Sequence, residues 1–98
     1  MPRVPLMIRV RLQPCGPLVE AFGAPEFAYD LADGASLGDL LERIGAEHGE
    51  RLGSIWNLRE RRFRGPVVIM SGAKALKDRA TPLRDQQTVS LYKAVVGG

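Results

Sequence analysis

The run Ala94-Val95-Val96-Gly97-Gly98 closes the sequence with three small or branched apolar residues, two glycines and a carboxylate. Glycine has no Cβ to clash and reaches backbone conformations that other residues avoid. A Gly-Gly arm can therefore carry a carboxylate into a narrow site on another protein, where activation turns a poor electrophile into a good one. Chain ends are often frayed, but Ala94, Val95 and Val96 are too apolar for an idle solvated end. Gly98 is thus the candidate reacting residue, with Gly97, Val96 and Val95 as the stretch a partner would grip.

Other reactive residues are sparse. Cys15 and His48 are each the sole member of their type. No internal disulfide, Cys-x-x-Cys pair or multi-histidine metal site follows, and no metal is expected. Cys15 lies in "QPCGP" without a basic neighbour to lower its pKa, and reads as a loop cysteine. The segment "RERRFR" sets four arginines, Arg59, Arg61, Arg62 and Arg64, around Phe63. Such a run could follow a phosphate backbone or steer an acidic partner. No aromatic stacking platform accompanies it, so it reads as a solvated connection, and nucleic acid is not an expected partner.

The elements that must position the arm follow from periodicity. Ile8, Val10 and Leu12 alternate with arginines, and Phe27, Tyr29 and Leu31 alternate in turn, giving two strands. Leu18 to Phe22 can form one helical turn stopped by Gly23. "SLGDLLERIGAEHG" is the main helix: Ser36 and Asp39 form a capping-box pattern, and Leu37, Leu40, Leu41 and Ile44 share a face. Gly45 costs that helix about 1 kcal/mol relative to alanine, so the face must be well buried. Gly49 is the expected C-cap, with His48 in the last turn where a partly charged imidazole favours the dipole. Residues 50–64 suggest a short helix or a wrapped loop burying Trp56.

"PVVIM", a tight turn at "SGAK", and Ala75-Leu76 form a hairpin. "TPLRDQQ" is a polar turn, and "TVSLY" is the final strand. With Val68 and Met70 set toward the helix, Val67 and Ile69 face outward beside Tyr92, an apolar patch of the kind that marks partner sites. The 98 residues, 45% hydrophobic and 26% charged with a formal net charge of +3, suit one domain over 1–98 with a single core. Residues 94–98 form an extended tail. Charged residues interrupt every apolar run, and no signal-peptide pattern opens the sequence, so a cytoplasmic protein is expected.

One main helix across a mixed sheet of four to five strands is an α+β arrangement. Its strand–strand–helix start, the turn Leu83-Arg84-Asp85-Gln86-Gln87-Thr88-Val89 into the final strand and the apolar tail ending in Gly97-Gly98 resemble the MoaD/ThiS sulfur carriers. These are ubiquitin-like β-grasp proteins. The likeness runs from Met7 to Gly98. Gln86-Gln87 departs from it, standing where the family often has glycine followed by an acidic residue.

The resemblance implies that an ubiquitin-activating-type enzyme adenylates Gly98 with ATP and Mg²⁺. Sulfur from a donor or sulfurtransferase then displaces AMP, leaving a thiocarboxylate that a sulfur-accepting synthase subunit consumes. No cofactor would be bound by the chain itself, which would be a protein cosubstrate and not an enzyme alone. "GPLVEAFG" resembles molybdopterin-synthase small subunits, although Val19 stands where they often have arginine. "ERLGSIWNLRERRFRGPVVIM" resembles carriers serving cysteine synthesis, and the thiamine carriers rank third. The alternative is a ubiquitin-like modifier joined to protein lysines through Gly98.

Overall fold

The computed structural model describes residues 7–65 and 67–94. Strand β1 (Met7–Pro14) alternates side chains between solvent and interior, which sinks Ile8, Val10 and Leu12 into the core. It pairs antiparallel with β2 (Phe27–Ala32), from Met7 opposite Ala32 to Leu12 opposite Phe27. Between them, α1 (Leu18–Phe22) buries Leu18 and Phe22. It ends as expected at Gly23, whose φ of +89° is a left-handed conformation suited to glycine.

The rest of the sheet is built by β5 (Val67–Ser71), β6 (Lys74–Ala75) and β7 (Thr88–Lys93). β7 runs parallel to β1 and antiparallel to β5, and the order is β2-β1-β7-β5-β6. The final strand therefore occupies the centre of a mixed five-stranded sheet.

The main helix, α2 (Leu37–Leu52), lies against the inner face with Leu37, Leu40, Leu41 and Ile44 buried. Its capping box is present. The Ser36 N–H donates to Asp39 Oδ2 at 2.8 Å, and the Asp39 N–H donates to Ser36 Oγ at 3.3 Å. A cap of this kind contributes about 1 kcal/mol. The helix does not stop at Gly49 but continues to Leu52, and Gly53 at φ +59° ends it.

Packing explains the extension. A Cβ on Gly45 would come within 2.9 Å of Trp56 Cζ2, and one on Gly49 within 3.2 Å of Trp56 Nε1. Both glycines are seats for the indole, and neither is a stop signal.

Residues 53–63 form neither a second α-helix nor a plain loop. A 3-10 turn (Gly53–Ile55) leads into a two-stranded hairpin of β3 (Trp56–Asn57) and β4 (Arg62–Phe63). Asn57 organises its turn by accepting from the N–H groups of Arg59 at 3.0 Å and Glu60 at 2.9 Å. Trp56 is buried as expected, with the Phe63 ring edge-on at 4.8 Å. Among the described residues, no helix is long and apolar enough to cross a membrane.

Candidate functional site

The arm that could react follows β7, and the polar turn before β7 fixes where that strand begins. The Arg9 N–H donates to Asp85 Oδ1 at 2.8 Å, and the Gln86 N–H donates to Arg9 O at 2.7 Å. The Gln87 side-chain amide donates to Ser71 Oγ at 2.8 Å. Gln86 has φ +65°, a conformation that glycine would adopt more cheaply, and these bonds on either side hold it there. The turn closes without the expected glycine.

From Thr88 onward, β7 is hydrogen-bonded to β1 on one side and β5 on the other, and it buries Val89 and Leu91. Its last residue, Lys93, stands opposite Val67. Ala94 is half-buried. Val95, Val96, Gly97 and Gly98, the predicted grip and reacting residue, lie outside the described residues.

The docking patch expected on Val67, Ile69 and Tyr92 does not assemble. Ile69 pairs with Leu91, which is fully buried, while Val68 pairs with Tyr92, which is 47% exposed. Directly opposed residues in an antiparallel pair share a face. Ile69 and Val67 therefore pack against the core, and Val68 and Met70 face outward with Tyr92. The expected strand parity is off by one residue, which exchanges the two sets of side chains. Only Tyr92 keeps its predicted place. Val68 and Met70 were missed because "VVIM" has no polar residue to mark a face.

The Arg64 end of the Arg59 to Arg64 segment lies beside the start of β5, the strand that pairs with Lys93. The Val67 N–H donates to Arg64 O at 3.1 Å, and the Arg64 N–H donates to Ile55 O at 2.9 Å. β4 is thereby tied to the start of β5, next to Lys93. Arg62 forms an exposed 3.7 Å pair with Glu60.

His48 is not the dipole-stabilising cation expected of it. Its ring packs against Phe22 at 5.2 Å and Phe27 at 4.8 Å, and Nε2 is buried with no hydrogen-bond partner among the described residues. Burial pushes its pKa down, favouring the neutral ring. Cys15 is half-buried, with Sγ 3.5 Å from Gln13 O. Among the described residues, no cluster of three or more His, Cys, Asp or Glu side chains could hold a metal.

No family model matches the chain, and no curated protein matches it by sequence. Solved structures do. SAMP1 from Haloferax volcanii superposes with a TM-score of 0.75 at 16% identity, covering 92% of this chain and 99% of its own. The small archaeal modifier protein 1 from Methanosarcina acetivorans gives 0.71 at 22% identity, covering 94% and 98%. A Pyrococcus furiosus protein described as molybdopterin converting factor, subunit 1, gives 0.69 at 19% identity, covering 90% and 99%. The ubiquitin of Caldiarchaeum subterraneum aligns with a TM-score of 0.57 at 14% identity, over 94% of this chain and 99% of its own. With the β2-β1-β7-β5-β6 order and one long helix across the sheet, these likenesses show that the chain has the ubiquitin-like β-grasp fold.

Proposed function

We propose that this protein is a sulfur carrier, a cosubstrate whose Gly98 carboxylate is adenylated and then converted to a thiocarboxylate. The observation that carries the reading is the Gly97-Gly98 pair following so soon after the central strand of a ubiquitin-like sheet. In the first step the carboxylate attacks the α-phosphorus of ATP, and pyrophosphate leaves. A sulfur nucleophile then attacks the activated carbonyl, forming the C–S bond as AMP departs. An activating enzyme supplies the ATP and Mg²⁺ chemistry, a sulfurtransferase or other donor supplies sulfur, and a synthase subunit accepts it. ATP-dependent chemistry of this kind suits the cytoplasm.

The chain's own contribution is presentation. β7, held on both sides, gives the arm a fixed base, and glycines keep its end thin. Docking to the activating enzyme falls on the outer face, where Val68 and Met70 of β5 stand beside Tyr92 of β7, the strand that leads into the arm.

The neighbour described as a molybdopterin converting factor subunit favours an acceptor of the molybdopterin type, and the cysteine type remains the second choice. Conjugation to lysines is the competing reading, favoured by the neighbours named as modifiers. The apolar Val95 and Val96 suit a dry groove better than a solvated ligation site, which ranks the carrier first.

The intact mass of the protein purified from its own host tests this. A species ending at Gly98 with one oxygen replaced by sulfur is expected. Isopeptide adducts without any thiocarboxylate would establish the modifier instead.

A further inference from the structure

A groove of about 250 Å³ opens between the first turns of α2, β4 and β5 where it meets β6. Its floor is apolar, formed by Leu41, Ile69 and Leu76, and its rim carries Arg62, Lys77 and Arg79. Among the described residues, no carboxylate lines it. The walls are fixed by backbone bonds. The Leu76 N–H donates to Ile69 O at 2.8 Å, and the Gly38 N–H donates to Arg79 O at 2.9 Å. Arg79 is braced as well, donating from Nη1 to Arg61 O at 2.8 Å with Nη2 3.7 Å from Glu42. Lys77 is exposed and makes no ion pair among the described residues.

We infer that this groove is a docking site for an acidic peptide segment of a partner protein, one bearing a bulky apolar side chain between carboxylates. Charge selects the occupant. Arg62 and Arg79 each stand 3.7 Å from a carboxylate outside the groove, Glu60 and Glu42, while Lys77 has none among the described residues. The lining thus favours a negative occupant over a second copy of this chain, whose own net charge is +3. A bare anion leaves the floor uncovered, whereas an apolar peptide leaves Lys77 without a counter-charge. An acidic segment with one leucine or phenylalanine satisfies both, because the apolar side chain fills the floor while its neighbours pair with the rim. The groove shares Val68 with the outer sheet face but is centred on Leu41, Ile69 and Leu76, and the inference does not depend on the carrier reading.

The test titrates the ¹⁵N-labelled protein with the octapeptide EDELFDEE, following amide shifts. Two controls replace its acidic residues by lysine or its Leu-Phe pair by Ala-Ala. Saturable shifts should centre on Leu41, Ile69, Leu76 and Lys77. Each control, and the folded Lys77→Glu variant, should bind about tenfold more weakly or worse. If the Lys77→Glu spectrum shows loss of fold, Lys77→Ala replaces it, with weakening in the same direction. Equal binding of the Ala-Ala peptide, shifts centred on Met70 and Tyr92, or full competition by inorganic phosphate would each overturn the proposal. So would an absence of saturable binding.

Discussion

Gly45 lies in the middle of α2, where alanine would ordinarily stabilise a helix by about 1 kcal/mol. Here the added Cβ would meet Trp56 Cζ2 at 2.9 Å. The indole is buried and wedged edge-on by Phe63, so it cannot yield cheaply. Gly45→Ala should therefore destabilise the protein by about 1–2 kcal/mol net, since overpacking outweighs propensity. In thermal melts that is a drop of about 4–8 °C per kcal/mol for a domain of this size.

His48 supplies a second residue-scale prediction. Its neutral ring is favoured by burial beside Phe22 and Phe27, with Glu47 opposing and Arg51 assisting the downward pKa shift. The unfolded chain thus binds a proton at a higher pH than the folded one, and stability falls as pH drops below the ordinary histidine range. The loss levels off below the depressed folded value. His48→Phe should remove this component, so the melting temperature of the variant should change less than that of the parent between pH 7.5 and 5.5. An identical decline in both would show that His48 does not carry it.

At the scale of elements, the two faces of β5 make opposite predictions. Ile69→Asp puts a carboxylate against the core opposite Leu91 and should cost about 2–3 kcal/mol in denaturant titration. Tyr92→Asp, on the outer face, should cost no more than about 1 kcal/mol. The proposed docking function adds that Tyr92→Asp, though folded, should weaken binding to the activating enzyme.

The same strand shows where sequence stops being informative. α2 was legible because its start is chemically marked by Ser36 and Asp39 and its apolar residues repeat at helical spacing. β1 was legible because arginines alternate with apolar residues. β5 has only apolar or small residues and is half-buried throughout, so nothing in its composition assigns a face. The β3–β4 hairpin escaped for another reason. Its strands are two residues long, and its turn depends on Asn57 capping two N–H groups among arginines, which reads as an open loop. Gly49 misled because a glycine near a helix end and a glycine under an indole look alike until Trp56 is placed. At the candidate site, Gly97 and Gly98 were conspicuous by type, whereas the Val68-Met70-Tyr92 face required the β5–β7 register.

For the whole molecule, the arm and the fold should be separable. Glycines 97 and 98 have no side chain to add to the core, so deleting Gly98 or introducing Gly97→Val should leave the melting temperature unchanged. Deletion of one residue withdraws the carboxylate by about 3.5 Å of extended chain, far more than a near-attack geometry tolerates. On the proposed carrier reading, both variants should fail in ATP–pyrophosphate exchange with the activating enzyme. Normal exchange by the Gly98 deletion would refute the carrier reading. The separation runs one way only, because the arm needs the fold. β7 is made last among the strands described and yet fills the gap between β1 and β5. During synthesis, β2-β1 and β5-β6 can form only two half-sheets with unpaired inner edges, and closing them needs contacts that span most of the chain. The sheet is completed only when the strand leading into Gly97-Gly98 is inserted. A ribosome that stalls before that strand leaves an exposed, adhesive seam for chaperones and proteases.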